Sequence, residues 1–149
     1  MGQQQLLLLV LGIVIVGLAV VVGIQAFSEN QKKANADALV NDAIRIASDA
    51  QAWKLKPAAF GGGASASNWT GLTFAQIGYE VGDQTGGGTA CATCYENLNG
   101  IFELTLSGAT LTIEATSYES DGTTVLNTVE VDVTGTLPSD ITTQVNPSS

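Results

Sequence analysis

Residues 6–24 read LLLLVLGIVIVGLAVVVGI, and this uninterrupted apolar run limits what the chain can fold into more than any other stretch. No Asp, Glu, Lys or Arg occurs before Glu29. At about 1.5 Å per residue, a helix over the run reaches roughly 28 Å, close to the thickness of a bilayer's hydrocarbon core. A helix that is apolar all round needs cover on every side. With Met1 to Gln5 alone standing ahead of the run, the expected cover is lipid or other copies of the chain. The side chains to be covered are Leu6, Leu7, Leu8, Leu9, Val10, Leu11, Ile13, Val14, Ile15, Val16, Leu18, Val20, Val21, Val22 and Ile24.

A cleaved secretory signal fits this run poorly. No Lys or Arg precedes it, it is longer than a usual signal core, and no small-x-small site ends it. Myristoylation of Gly2 is disfavoured because Leu6 stands where that motif wants Ser or Thr. Gly12, Gly17 and Gly23 admit two readings. Glycine is common in membrane helices and lets neighbours approach closely, and it also marks places where a helix stretches or melts.

The helical pattern continues past Ile24 to Pro57, so one long helix is expected. From Glu29 onward it becomes amphipathic. Ala36, Leu39, Val40, Ala43, Ile44, Ala47, Ala50 and Trp53 follow three- and four-residue spacing, while Asn35, Asp42, Arg45, Asp49 and Lys56 fall on other faces. Lys54 and Lys56 complement a helix C-terminus, and Pro57 stops the helix because it lacks an N–H and clashes with the preceding turn.

Charge is sharply partitioned along the chain. The formal net charge is −9, yet all five basic residues (Lys32, Lys33, Arg45, Lys54 and Lys56) lie between positions 32 and 56. From Pro57 on there are ten acidic residues and no basic one. Such a segment repels nucleic acid and anionic lipid surfaces, so neither is an expected partner of it.

Residues 58–71, with Gly61-Gly62-Gly63 and Ala-Ser-Ala-Ser, read as a connector. The stretch lacks the Gly-Lys-Ser/Thr ending of a phosphate loop. Asn68-Trp69-Thr70 within it matches a glycosylation sequon, a three-residue pattern that usually arises by chance, and it would sit on an exposed loop. Strands come next. Leu72 to Val81 alternates in part, and residues 82–89 form a second glycine-rich loop. Ile101 to Leu106 places Phe102, Leu104 and Leu106 on one face. Thr110 to Tyr118 points Leu111, Ile113 and Ala115 inward, and Thr124 to Val133 does the same with Val125, Val129, Val131 and Val133. Asp121-Gly122 between the last two is a hairpin signal. The expectation is a three-stranded antiparallel meander, with an additional edge strand around Ile141 to Val145. The fold class is therefore α+β: a long N-terminal helix, apolar then amphipathic, packed on a small antiparallel sheet. Residues 1–28 form the hydrophobic helix, 29–57 its amphipathic half and 58–149 a β-rich head.

Candidate chemistry is thin. Cys91 and Cys94 enclose Ala-Thr, and the chain contains no His and no further Cys. Zinc would lack ligands, and haem attachment needs a His where Tyr95 stands. A dithiol redox pair usually opens a helix, whereas this pair lies between a glycine-rich loop and a strand. The remaining reading is a disulfide closing a small loop in an oxidising compartment. Glu103 and Glu114 fall on outward strand positions with no basic partner and read as a solvated face. Without His, and with no Lys or Arg after residue 56, a Ser- or Cys-based triad is excluded and no enzyme or cofactor is expected.

An apolar N-terminal helix continuing into an amphipathic half that packs on a small antiparallel sheet resembles the type IV pilins and their bacterial and archaeal relatives. Gly2-Gln3 resembles the site at which prepilin peptidases cut, after glycine, and the segment NDAIRIASDAQAWKLKP followed by a glycine-rich loop resembles pilin-like proteins. The resemblance covers roughly residues 1–57 and is architectural beyond. Leu7 occupies the fifth position of a chain cut after Gly2, where familiar pilins carry glutamate, and the proline that often interrupts the pilin helix is absent. The resemblance implies an extracellular helical homopolymer with the apolar helices in its core, held in the inner membrane before assembly and handled by pilus assembly machinery. The competing expectation is a single-span anchor carrying a small extracytoplasmic binding module. For Lys32, Lys33 and Arg45 two readings stand: contact with carboxylates of a neighbouring subunit, on its stalk (Glu29, Asp37, Asp42) or its head, or plain solvation at the end of the apolar segment.

Overall fold

A computed structural model describes residues 2–63, 68–81 and 93–147, with side chains described as far as residue 145. The chain divides into two compact units, residues 1–34 and 35–149. Helix α1, Gly2–Leu55, begins in the first and ends in the second. Apart from α1 the first unit has no other described element, and all its described side chains are exposed except that of Lys32, which is half-buried.

The second unit has its own core. Leu39, Ala43, Ile46, Ala47, Ala50 and Trp53 of α1 are buried with Phe102, Leu111, Ile113, Ala115, Val129, Val131 and Val133 of the sheet. The seam of α1 thus steps by four and three residues through positions 39, 43, 46, 50 and 53, which keeps one stripe facing the sheet. Ala43 and Ala50 in that stripe, with Ala47 beside it, let the helix backbone sit close to the strands. The seam is rotated from the expected one: Ile46 is 1% exposed, whereas Ile44 is 38% exposed. The helix ends at Leu55. Lys56 still donates its N–H to Ala52 O at 3.1 Å, and Pro57 continues in extended backbone.

Five strands form one antiparallel sheet in the order β1-β2-β3-β4-β5: β1 Tyr95–Glu96, β2 Ile101–Ser107, β3 Thr110–Tyr118, β4 Val125–Val133 and β5 Ile141–Pro147. Both the three-stranded meander and the edge strand are present, and β1 adds a short opposite edge. Inward alternation holds at Leu111, Ile113 and Ala115 and at Val129, Val131 and Val133, all 0% exposed. It weakens along β2, where Phe102 is buried, Leu104 half-buried and Leu106 exposed, and Val125 is likewise only half-buried. Gly100 precedes β2 because a Cβ there would lie 2.5 Å from Thr116 O and 2.8 Å from Leu39 Cδ2. The Asp121-Gly122 hairpin is as expected. Gly122 has φ +69°, Glu119 N–H donates to Thr124 O at 2.8 Å, and the Asp121 carboxylate accepts from the N–H groups of Thr123 and Thr124 and from the Thr124 hydroxyl.

The partial alternation over Leu72 to Val81 does not give a strand. Phe74–Ile77 is a 3-10 turn, with Leu72 and Phe74 inserted into the core. Local hydrogen bonds favour the turn: Gln76 N–H donates to Thr73 O at 3.1 Å, the Gln76 side-chain oxygen accepts from Thr73 N–H at 3.3 Å, and Gly78 closes the turn at φ +85°. Phe74, Tyr79, Tyr95 and Phe102 then pack ring against ring, with centroids 4.8–6.2 Å apart.

Candidate functional site

Within the first unit, the side chains expected to need cover are the dominant surface. From Leu6 to Ile24 each large hydrophobic is between 50% (Leu11) and 70% (Leu7) exposed, and Phe27 is 64% exposed. No polar residue interrupts residues 6–24, so this surface has no solvent-facing side. The helix is long and apolar enough to cross a membrane. Gly2 and Gln3 lie in its first turn and are exposed. A Cβ added at Gly12, Gly17 or Gly23 would meet nothing within 4 Å. Among the described residues nothing requires glycine there, which is compatible with the approach of a neighbouring helix or with local helix weakening.

Within the second unit, a polar lock fastens α1 to the sheet and to the loops that flank it. Asn35 Oδ1 accepts from the Ser117 hydroxyl at 2.6 Å and from Asn127 Nδ2 at 2.9 Å, and Asn35 Nδ2 donates to Asn99 O at 3.2 Å. Two turns along, Asp42 Oδ2 accepts from Asn97 Nδ2 at 2.9 Å and Asn99 Nδ2 at 2.6 Å. Two turns further, Asp49 Oδ2 accepts from the Tyr79 hydroxyl at 2.6 Å. Gln51, 8% exposed, donates to the carbonyls of Gly135 and Leu137. The Tyr79 pKa is driven well above its ordinary value, first by burial and then by the hydrogen bond to Asp49, so the phenol keeps its proton and remains the donor. Asn35, Asp42 and Asp49, expected on faces away from the sheet, border the buried seam instead. Their regular seven-residue spacing is the sequence signal for this. Because Asp42 is already satisfied within its own unit, it is a weaker counterpart for a neighbouring cation than exposed Glu29 or Asp37.

The basic candidates differ in setting: Lys32 is half-buried, and Lys33 and Arg45 are exposed. Lys54 lies over the ring of buried Trp69 at 4.0 Å. On the outward face of the sheet, Glu103 is opposite Glu114, and Glu114 is opposite Glu130. Like charges in directly opposed positions are unfavourable, and the chain has no basic residue after Lys56 to relieve them. Asp121 in the hairpin has its pKa held well below the carboxylate norm by the Thr124 hydroxyl and by the N–H groups of Thr124 and Thr123.

Cys94 is buried and disulfide-bonded, and Cys91 lies outside the described residues. A cavity of about 470 Å³ is lined by Leu72, Phe74, Val81, Thr93 and Leu104, next to a segment outside the described residues. Among the described residues its lining carries no titratable group. Among the described residues there is no group of three or more His, Cys, Asp or Glu placed to hold a metal ion. The arrangement offers one large apolar surface, a self-contained α+β unit and an acidic sheet face. Compared with protein-family models, curated proteins and solved structures, the chain has no significant match.

Proposed function

We propose that the chain is a structural subunit that polymerises through its apolar N-terminal helix into an extracellular filament of the type IV pilus kind, passing through an inner-membrane-anchored stage. The observation that carries this reading is the uncovered apolar surface of residues 6–24 in a chain whose second unit has a core complete without it. The fifteen large apolar side chains are 50–70% exposed, so covering them recovers about half to two-thirds of the roughly 1.5–3 kcal/mol that full burial gives each, on the order of 10–30 kcal/mol in all. That is comparable with or larger than the roughly 5–15 kcal/mol that holds a typical domain together, so cover is strongly favoured. Lipid can supply it before assembly, and the same surfaces of other copies can supply it afterwards.

Polymerisation is favoured over a permanent single-span anchor by the sequence on the C-terminal side of the run. No Gly/Pro-rich linker occurs between residues 24 and 35, and α1 is helical without a break from Gly2 to Leu55. A module presented for ligand capture would gain from a flexible tether. Gly12, Gly17 and Gly23, where no described residue would meet an added Cβ, suit close helix–helix approach.

The deciding experiment replaces Val16 with Asp. A carboxylate without a partner in a packed apolar core is strongly unfavourable, so the variant should fold its second unit and form no filaments, as seen by electron microscopy of sheared material. Filaments in normal number from Val16→Asp would refute the proposal. A parent chain that stays in the membrane fraction and is never found in polymers would establish the anchored-module reading instead.

A further inference from the structure

Among the asparagines of the chain, only Asn68 is followed two residues later by Ser or Thr with a residue other than proline between them; Asn146-Pro147-Ser148 fails on its central proline. Asn68 and Thr70 are exposed, and Trp69 between them is 0% exposed. The indole is fixed in place: its Nε1–H donates to Ala109 O at 2.9 Å, the Trp69 backbone N–H donates to Gly108 O at 3.4 Å, and Lys54 Nζ lies 4.0 Å from the ring. A buried central residue turns its two neighbours outward together. That is the presentation a transferase needs, because it must reach the amide and the hydroxyl of one tripeptide at once. The backbone groups that hold the indole belong to the β2–β3 turn, whose residues Ser107, Gly108 and Ala109 are small and exposed. Gly71 comes next after Thr70, at φ +91°. No bulky side chain among these neighbours stands over the acceptor.

We infer that Asn68 is the acceptor of an N-linked glycan. This rests on the proposed function in one respect, since such transfer takes place on the extracytoplasmic side of a membrane. The donor is a glycan carried on a lipid phosphate or diphosphate. Asn68 Nδ2 forms the new bond to the anomeric carbon, the bond from that carbon to the phosphate oxygen breaks, the lipid phosphate leaves with the electron pair, and the amide nitrogen gives up one proton. The Thr70 hydroxyl is a positioning group that the transferase reads. Within the second unit the sequon lies beside Lys54, about 28 Å along the helix axis from Asn35, the first residue of that unit. A glycan at this end leaves the start of the unit clear.

The test is intact-mass and peptide-level mass spectrometry of the full chain isolated from the cells that make it, with filaments counted in the same preparation. The expected result is added glycan mass on the peptide containing Asn68, lost in Asn68→Gln and in Thr70→Ala but kept in Thr70→Ser. Unchanged tryptophan fluorescence in the variants rules out misfolding as the cause. Filaments whose Asn68 carries no glycan would overturn this inference and leave the filament reading standing. Glycan present on a chain that never polymerises would support the inference and count against that reading. A mass addition that survives Asn68→Gln would also overturn it.

Discussion

Replacing Asn35 with Ala removes one side-chain oxygen that satisfies two donors at almost fully buried residues, Ser117 at 2% and Asn127 at 1% exposed. Leaving a buried donor without its acceptor costs about 1–3 kcal/mol, which gives an upper range of about 2–6 kcal/mol for the pair. Asn35 itself is only half-buried, so water can enter part of the space, and we expect a loss of about 2–4 kcal/mol. At about 4 °C per kcal/mol for a unit of this size, the thermal midpoint should fall by about 8–16 °C. Trp53 and Trp69 are both buried in the second unit, so tryptophan fluorescence during denaturant titration of the full chain in detergent reads that unit alone. The cycle with Ser117→Ala separates the lock from general damage. Removing Asn35 should cost less when the Ser117 donor is already gone, with a coupling of about 0.5–3 kcal/mol. A loss below about 1 kcal/mol, or zero coupling, would refute the claim that Asn35 fastens the helix to the sheet.

Three further outcomes are expected. Asp121 has a lowered pKa in the folded state, so its contribution is complete above the ordinary carboxylate range and disappears as pH falls through the lower folded value; the stability gap between parent and Asp121→Asn should be widest near about pH 6 and shrink on acidification below about pH 4, and a gap independent of pH would contradict this. Intact-mass measurement after alkylation without reductant should add nothing at Cys94 or Cys91, and reduction should lower stability by about 2 kcal/mol for so short a loop; two alkylated thiols in unreduced protein would reject the disulfide. The Lys32→Gln, Lys33→Gln double variant should give filaments that melt earlier and respond less to salt, and identical melting across salt concentrations would eliminate a role for these lysines between subunits.

The helix and the three long strands are legible in the sequence because each carries its own period: the three- and four-residue spacing of Leu39, Ala43, Ala47 and Ala50, and the two-residue alternation of Val129, Val131 and Val133. What local pattern cannot carry is the polar lock. The partners of Asn35 are 64, 82 and 92 residues away in sequence, so a polar side chain there reads as solvent-facing until the sheet is in place. The same limit explains the exchange of Ile44 for Ile46, since both fit a helical stripe and only the position of the strands chooses between them. At Leu72 to Val81 the difference has another source, because a short run of alternating residues is also compatible with a turn whose Leu72 and Phe74 point inward. The acidic row of Glu103, Glu114 and Glu130 requires strand register, which parity along one strand does not supply.

The sheet is a meander in which every strand pairs only with its neighbours in the chain, so its hairpins can close soon after each is made. The helix has to wait. At about 5–20 residues per second, some 5–20 s of synthesis separate Asn35 from Asn127, and Gln51 has both its acceptors, Gly135 O and Leu137 O, only once Leu137 has been added. Until residues 101–118 have been made, Leu39, Ile46 and Trp53 face no strand. The nascent chain therefore spends seconds with a sticky amphipathic helix exposed directly after a membrane-seeking one, and the timing of holding factors or of bilayer capture, more than the strength of the finished core, should govern how much of it reaches the folded state.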